Sequence, residues 1–388
     1  MLEERVYLDY QNQAMIRPQV KEAIRESAEL TGNPSSMHQE GRRTAQAVER
    51  ARNQVAALLG ASPQEILFTS SGTEANLAAI TGLLKAVPAG QGKHLVVSAV
   101  EHLSVLQSVR RLEKEGFSVT VLPVDSRGCV DPGQCEKALT PQTVLVSVQW
   151  ANPEVGTVQP VRELALRVKS KGILFHSDAV AACGCLPVDV REVPVDALSI
   201  AANTFGGPSG VGALYLRKGV RLFPLFVGGT QQEGRRAGSE NVLGIAGMGV
   251  AAELAKAELN DLPGRLIPLR DRLIGGILKG IPETRLNGHP TARLPGHASF
   301  SFSGVNAEEL VFALDLKGVA VGLGSACSAQ TIKASHVLKA MGVEDSLALG
   351  TILCTLGWAT RADQVDRAAD LLRQVVMKNR LVAVEGKR

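Results

Sequence analysis

Short apolar runs that alternate with helical stretches constrain the fold of this chain most strongly. The runs are rich in β-branched and other apolar residues, and helical patterns separate most of them. Apolar strands that alternate with helices are typical of a mostly parallel sheet covered on both faces. The sequence therefore predicts an α/β domain, with strands at residues 66–69, 95–98, 119–122, 144–148, 173–175, 197–200 and 212–216.

Two helices are predicted before the first of these runs. Apolar residues between Pro18 and Leu30 recur at helical spacing. A second apolar face extends from Ala45 to Leu58, and Gly60 is placed to end that helix. Candidate residues for capping its start are Ser35 and Ser36.

The chain changes character after a long helical region at about residues 240–259. Residues from 263 onward have the pattern of a smaller α+β unit, with a strand near 298–303 and a helix from about 307. We therefore expect a large α/β domain over residues 17–258. Residues 1–16 and 259–388 are expected to form a small α+β domain.

Composition excludes several classes of protein. The 388 residues are 45% hydrophobic and 21% charged, which is ordinary for a globular chain. A net charge of +4 without a concentrated Lys/Arg run gives no indication of nucleic-acid binding, and no segment has the apolar length of a membrane span. The first residues lack the apolar stretch of a signal peptide, so we expect a cytoplasmic protein. Six cysteines in such a chain are then thiols, metal ligands or redox groups.

A candidate anion site lies where a predicted strand gives way to a helix. Residues 70–76 read SSGTEAN, and Gly72 and Thr73 stand at the expected start of the helix. Free amide groups and the positive end of the helix dipole favour an anion at such a turn. Many strand–helix turns share this pattern, so the signal is weak when taken alone.

Residues 199–212 read SIAANTFGGPSGVG, and this segment resembles the cofactor-anchoring stretch of cysteine desulfurases. These enzymes are the NifS-like branch of the class V aminotransferases. The resemblance covers nearly the whole chain, from Tyr7 to the last helix. It implies a PLP-dependent transferase type I fold, a homodimer, and a site for pyridoxal phosphate (PLP).

The resemblance also implies roles for individual residues. Gly72 and Thr73 would bind the PLP phosphate, and Ser239 would reach it from the partner subunit. His102 would stack on the ring and handle protons, and Asp178 would keep the pyridine nitrogen protonated. In a site without PLP, Asp178 could instead serve as a helix cap or a salt-bridge partner.

The chain departs from the family at the residue that holds PLP covalently. Thr204 occupies the position of the family's lysine, and no lysine occurs between Lys171 and Lys218. Because a hydroxyl cannot form a Schiff base, PLP is not expected as a covalent aldimine. Five further family contacts are also lost, at Pro153, Ala181, Ala201, Asn203 and Leu353. The Arg replaced by Leu353 grips the substrate carboxylate in the family, which Leu cannot do.

One cysteine keeps its family context. Residues 322–329 read GLGSACSA and resemble the loop that carries the persulfide-forming cysteine, here Cys327. A retained loop thiol beside a dismantled PLP site indicates chemistry at sulfur without cysteine cleavage. We therefore expect a protein of sulfur or iron–sulfur metabolism, in which Cys327 carries a persulfide or ligates a cluster. A scaffold for iron–sulfur clusters or a sulfur-acceptor protein would be its partner.

Other interpretations remain open at this point. Cys183 and Cys185, with Cys327, could hold an iron–sulfur cluster or a metal in the vacated PLP cavity. Cys354 would face away from Leu353 if residues 351–355 form a strand. The chain could also be a non-catalytic partner of an active desulfurase, or could bind PLP without a covalent bond.

Overall fold

The computed structural model describes residues 5–88, 90–324 and 334–385, with side chains as far as Leu381. Two sheets organise these residues, one of seven strands and one of five. The strands are β1 (Val6–Leu8), β2 (Ile66–Thr69), β3 (His94–Ser98), β4 (Ser118–Leu122), β5 (Thr143–Ser147), β6 (Leu174–Asp178), β7 (Ala197–Ala201), β8 (Gly212–Leu216), β9 (Thr284–Leu286), β10 (His297–Phe302), β11 (Val319–Leu323) and β12 (Thr351–Thr355).

Twelve α-helices precede, separate or follow these strands along the described chain. They are α1 (Pro18–Ala28), α2 (Gln39–Leu59), α3 (Gly72–Lys85), α4 (Leu103–Lys114), α5 (Pro132–Ala138), α6 (Val161–Lys169), α7 (Val242–Glu258), α8 (Leu262–Gly280), α9 (Ala307–Leu316), α10 (His336–Ala340), α11 (Asp345–Ala348) and α12 (Ala362–Glu385). No helix within the described ranges is long and apolar enough to cross a membrane.

The seven-stranded sheet has the order β2-β8-β7-β6-β5-β3-β4. From β7 to β4 all neighbours are parallel, and β8 runs antiparallel to both β7 and β2. The predicted, mostly parallel α/β sheet is therefore confirmed. Because β2, β3, β6 and β7 run in the same direction, their carboxyl ends meet at one edge. The residues that follow these ends form most of the site described below.

Apolar layers cover both faces of this sheet. On one face, α3 and α4 pack onto strand residues such as Leu67 and Leu95. On the other face, α2, α6 and α7 pack in a larger core around Phe175. Each face is closed by helices, which explains why the strands read as continuous apolar runs.

The start of α2 differs from its predicted start. Its N-cap is His38, whose Nδ1 accepts a hydrogen bond from the Gly41 amide, and neither Ser35 nor Ser36 caps it. Ser36 is held instead in a turn, where its amide donates to the Asn33 carbonyl. The predicted end is confirmed, since Gly60 adopts a left-handed conformation with φ of 67°.

The five-stranded sheet has the order β1-β11-β12-β10-β9. Strand β1 pairs in parallel with β11, which ties the beginning of the chain to its last third. Helices α8, α9 and α12 pack on this sheet around Phe300 and Phe302. The predicted boundaries at residues 16 and 258 stay a prediction.

Candidate functional site

A cavity of about 440 Å³ lies at the carboxyl edge of the seven-stranded sheet. Residues from the ends of β11 and β12 complete its wall, so both sheets contribute to it. This is the edge at which ligands bind in open α/β sheets, because the connecting segments leave a crevice there. The cavity is therefore the candidate functional site.

The N-terminus of α3 forms one wall of the cavity. Ser71 caps the helix, with its hydroxyl accepting from the Glu74 amide at 3.1 Å, and Gly72 and Thr73 line the cavity. The first amides of a helix have no partner within the helix, so this wall attracts an anion. A Cβ on Gly72 would lie 2.7 Å from Val180 Cγ2, which explains why glycine occupies this position.

The acidic residue in the first turn of α3 does not cancel this attraction. Arg236 Nε donates to Glu74 Oε1 at 2.9 Å, and the Ser70 amide donates to Glu74 Oε2 at 2.7 Å. Burial raises the pKa of Glu74, but these hydrogen bonds outweigh burial and hold it below its usual value. The Glu74 charge is thus matched by a guanidinium.

Asp178 ends β6 and lies buried in the cavity. Asn76 Nδ2 donates to its Oδ2 at 2.6 Å, and the Val180 amide donates to its Oδ1 at 2.9 Å. Burial raises the pKa of Asp178, while His102 and the two hydrogen bonds act in the opposite direction. The carboxyl closes a local turn and also presents a buried acid to the cavity.

His102 lines the cavity and caps α4. Its Nδ1 accepts from the Ser104 amide at 3.1 Å and lies 2.7 Å from Ser104 Oγ. Because Nδ1 accepts a backbone hydrogen bond, the proton of the neutral ring lies on Nε2. The structure thus brings four of the predicted site residues into one cavity, namely Gly72, Thr73, His102 and Asp178, and their roles stay predictions.

Glu101, beside His102, is fully buried. Its Oε1 accepts from Ser98 Oγ and from the Gln149 amide. Its Oε2 has no hydrogen-bond partner among the described residues. Burial raises the pKa of Glu101 to about 8, so the side chain is protonated at neutral pH.

Two more titratable residues line the cavity without having been assigned a role from the sequence. Burial raises the pKa of Glu154 to about 7, and Ser335 Oγ donates to this carboxyl. His336 Nε2 lies 3.0 Å from the Glu101 carbonyl oxygen. No spacing in the sequence indicates that these two residues come together in the wall of the cavity.

Thr204 directs its hydroxyl toward the backbone. It lies in a short 3-10 helix, Ala202–Phe205, and its Oγ1 is 2.7 Å from the Val180 carbonyl oxygen and 3.1 Å from that of Ala201. The other positions at which the sequence predicts lost family contacts also line the cavity, namely Pro153, Ala181, Ala201, Asn203 and Leu353. Neither lysine nor arginine is present among the described lining residues.

The residues fit PLP in part. The start of α3 suits its phosphate, and the buried Asp178 suits its ring nitrogen. When bound in this fold, PLP supplies an electron sink for reactions of amino acids. A covalent link has no match among the described lining residues, which include no lysine. We therefore derive no reaction step through PLP.

The structure does not bring Cys183 and Cys185 into the cavity, contrary to the expectation of a cluster there. Cys183 is 1% exposed and packs in the core beneath the sheet. Cys185 Sγ lies 3.3 Å from the Ala182 carbonyl oxygen. The turn after β6 directs both thiols away from the lining, and no group of three metal-binding side chains occurs in the described ranges.

The remaining predicted residues lie elsewhere. Cys354 packs in the core of the five-stranded sheet while Leu353 lines the cavity, as the alternation of a strand predicts. Cys327 lies outside the described residues, but Gly324 and Ala334, on either side of residues 325–333, line the cavity. Ser239 is exposed and does not line the cavity of its own chain, so its contact with a partner's ligand stays a prediction.

Known proteins agree with this architecture. The family model for class-V aminotransferases matches residues 6–367. Cysteine desulfurase IscS of Dictyoglomus turgidum is 46% identical over 383 residues, which are 98% of this chain and 97% of the relative. Cysteine desulfurase IscS of Methanosarcina thermophila is 43% identical over 97% of this chain and 93% of its own. The solved structure of a NifS-like protein superposes with a TM-score of 0.90 at 34% identity, covering 96% of this chain and all of that one. The chain therefore belongs to the class-V aminotransferase family and is a homologue of the cysteine desulfurases IscS and NifS.

Proposed function

We propose that this chain acts in sulfur or iron–sulfur metabolism through Cys327, and not by PLP-dependent cleavage of cysteine. The observation that carries the proposal is the environment of Thr204. Its hydroxyl is engaged by the Val180 and Ala201 carbonyls, and no lysine is present among the described lining residues. Covalent catalysis by PLP needs an amine at this position, and losing such a nucleophile removes most of the activity.

The wall formed by β12 supports the same proposal. Leu353 lines the cavity where the family resemblance implies an arginine for the substrate carboxylate. A leucine side chain supplies neither charge nor hydrogen bonds to a carboxylate. The described lining contains no guanidinium or ammonium group that could replace the arginine. Free cysteine is therefore a poor ligand for this cavity.

Cys327 would receive sulfur that has already been mobilised. The Cys327 thiolate attacks the terminal sulfur of a protein or small-molecule persulfide, and a new S–S bond forms at Cys327. The S–S bond of the donor breaks, its electron pair stays on the donor sulfur, and that sulfur takes up the proton that Cys327 released. The donor leaves as a thiol and Cys327 becomes a persulfide, with no net oxidation. An iron–sulfur scaffold or another sulfur acceptor would then take the sulfur.

A homodimer in the cytoplasm is part of this proposal. The chain exposes Phe226 and Val227 close in sequence to Ser239, with exposed fractions of 48% and 83%. Exposed apolar groups of this size are typical of protein contacts. Pairing with an active paralogue would use the same surface and would make this chain a non-catalytic subunit.

Persulfide transfer to the full-length protein tests the proposal. We expect incubation with glutathione persulfide to add one sulfur atom to the peptide that contains Cys327, as measured by mass spectrometry. The Cys327→Ala variant should lose this label. Cys129→Ala is a matched control, since Cys129 lies outside the cavity lining, and it should label like the parent. Equal labelling of Cys327→Ala and the parent, or release of sulfide from cysteine by the PLP-treated parent, would contradict the proposal.

The absorption spectrum of anaerobically purified protein separates the remaining interpretations. A broad visible absorption that bleaches with dithionite would indicate a cluster and would favour Cys327 as a ligand over Cys327 as a carrier. A colourless protein is the result expected for a persulfide carrier.

A further inference from the structure

The segment that carries Cys327 has its two described ends in different parts of the fold. Gly324 follows β11, which pairs with β12 in the five-stranded sheet. Ala334 precedes α10, and α10 packs on segments that leave the carboxyl edge of the seven-stranded sheet. Both ends line the cavity. The place where α10 lies therefore decides where the chain rejoins the fold after residues 325–333.

An apolar cluster holds one face of α10. Val337 and Leu338 of this helix share the cluster with Val100, which follows β3. Val155, in the segment after β5, belongs to the same cluster, and all four side chains are buried. Apolar burial stabilises the packed helix, but it is not directional. A directional contact is therefore needed to fix how α10 lies on this surface.

The hydroxyl of Ser335 makes such a contact at the start of α10. Its Oγ accepts hydrogen bonds from the amides of Val337 and Leu338 at 3.1 and 3.4 Å, and so caps the helix. The same Oγ donates its proton to the carboxyl of Glu154, in the segment after β5. A serine hydroxyl has only one proton to donate, so this bond is the outward contact of the cap. Glu154 thus holds α10 at the residue from which the helix begins.

We propose that Glu154 is a positioning residue for Cys327. Through Ser335, the carboxyl of Glu154 fixes the start of α10, and with it the point at which the segment that carries Cys327 rejoins the fold. This inference rests on the proposed function, because it gives Glu154 an effect on the sulfur chemistry of Cys327. The contact itself lies wholly within the described residues, so it is measurable whether or not Cys327 carries sulfur.

The charge of Glu154 sets the strength of this contact. A hydroxyl bonds more strongly to a carboxylate than to a neutral carboxyl group. Burial raises the pKa of Glu154 to about 7, and the hydrogen bond from Ser335 acts against burial by lowering it. Because the hydrogen bond favours the ionised carboxyl, ionisation must favour the hydrogen bond by the same free energy. The coupling between the two side chains should therefore grow as the pH rises from about 6 to about 8.

Other titratable groups lie around Glu154 and change the pKa of its carboxyl or share its cavity. His102, at the start of α4, lowers the pKa of Glu154. The others that line the cavity with it are Glu101, Asp178 and His336. A double-mutant cycle keeps all of these groups in each of its four proteins, so their direct effects cancel in the coupling. The cycle therefore isolates the contact between the two substituted side chains.

Amide hydrogen exchange of the full-length protein measures the contact. The cycle consists of the parent, Glu154→Ala, Ser335→Ala and the double variant, and protection of peptide 334–341 is corrected for the intrinsic exchange rate at each pH. We expect a coupling of at least about threefold in protection at pH about 8, and a smaller one at pH about 6. Glu154→Gln takes the place of Glu154→Ala if the alanine variant does not fold, and it should show a weaker coupling that does not change with pH.

Two further variants sharpen the exchange measurement. Ser335→Asp keeps a side chain that caps helices well but cannot donate to Glu154, so it should lose protection of peptide 334–341 although the cap is retained. Glu344→Ala is the matched control, since Glu344 is exposed and its side chain makes no capping bond at the start of α11. Its protection should equal that of the parent. Additive effects of the two alanine substitutions at both pH values, or full protection in Ser335→Asp, would overturn the inference.

The rate of persulfide transfer tests the consequence for Cys327. We expect Glu154→Ala and Ser335→Ala each to slow labelling of Cys327 by glutathione persulfide about threefold or more, while alkylation of Cys327 by iodoacetamide changes less. Equal slowing of both reactions would show a general loss of access to the thiol and would contradict a positioning role. A parent that does not label at Cys327 would overturn the proposed function, and the exchange cycle would still decide whether Glu154 holds α10.

Discussion

Asn76 and Asp178 are joined by a hydrogen bond of 2.6 Å between Nδ2 and Oδ2. The same amide nitrogen donates to Ser104 Oγ at 2.9 Å, and Ser104 Oγ lies 2.7 Å from Nδ1 of His102. A chain of polar contacts therefore connects His102 to Asp178 across α4, α3 and β6. The side chain of Asn76 is the link between the two predicted site residues, although no role was predicted for Asn76 from the sequence.

Replacing Asn76 by Ala should destabilise the protein. Asp178 would lose a donor inside the fold and would remain buried, so the free energy of unfolding should fall by about 1–3 kcal/mol. Urea denaturation measures this change. The control is Asn53→Ala, since Asn53 is exposed on α2 and its substitution should cost less than about 0.5–1 kcal/mol. Equal losses in the two variants would show that the contact with Asp178 contributes nothing.

Stability should fall as the pH rises from about 6.5 to 8. Burial raises the pKa of Glu101 to about 8 and that of Glu154 to about 7, both above the usual 4.5. The folded protein then holds protons that the unfolded chain has released, so raising the pH favours unfolding. Burial lowers the pKa of His176 to about 3 and of His297 to about 4. These histidines act in the opposite direction, but only below their usual value of 6.5.

The expected slope in this window is about 1–2 kcal/mol per pH unit, measured by urea denaturation at several pH values. Glu101→Gln removes the carboxyl that takes up a proton on folding, and it should flatten the dependence of stability on pH. Glu49→Gln on the exposed face of α2 is the matched control and should retain the parent's slope. A parent whose stability increased between pH 6.5 and 8 would refute the assignment of buried, protonated carboxyls.

Alkylation should discriminate among the thiols. Burial raises the pKa of every cysteine that the structure describes, and the thiolate is the reactive form. At neutral pH these residues should react slowly with iodoacetamide, and peptide mapping should show fast labelling at Cys327 alone. Rapid modification of any of the others in the native protein would contradict the burial found for Cys129, Cys135, Cys183, Cys185 and Cys354.

Serine substitutions at Cys183 and Cys185 should leave the iron content of the purified protein unchanged. Neither thiol lines the cavity, so neither is placed to ligate a cluster there. The measurement is elemental analysis after anaerobic purification, with stability followed in parallel, because Cys183→Ser places a hydroxyl in an apolar core. Loss of bound iron in a variant that still folds would restore these residues as ligands.

The fold was largely predictable because its signals are local. Apolar runs and helical spacing are properties of neighbouring residues, and they located the strands of the parallel sheet and the end of α2 at Gly60. The start of α2 was not predictable in the same way. Serine, a favourable cap, is present at residues 35 and 36, but a turn that includes the Asn33 carbonyl engages Ser36 before the helix begins.

Only those residues of the site that belong to recognisable sequence motifs were predictable. Gly72, His102 and Asp178 follow different strands, and the parallel sheet brings their segments together at one edge. Burial of Glu101 and Glu154 depends on segments that are distant in sequence, so no spacing indicated their raised pKa values. Cys183 lies two residues from Ala181, which lines the cavity, but the turn after β6 directs Cys183 into the core.

Adjacent residues of β12 are subject to different constraints. Leu353 faces the cavity, and Cys354 faces the core of the five-stranded sheet. A substitution at residue 353 changes what the cavity recognises and leaves the core intact, whereas one at residue 354 alters the core. Along such a strand, evolution can erase the contacts of an ancestral ligand one residue at a time while selection on folding keeps the intervening positions. The core face of such a strand then keeps the residues that the fold requires, while the cavity face can change with the chemistry of the site.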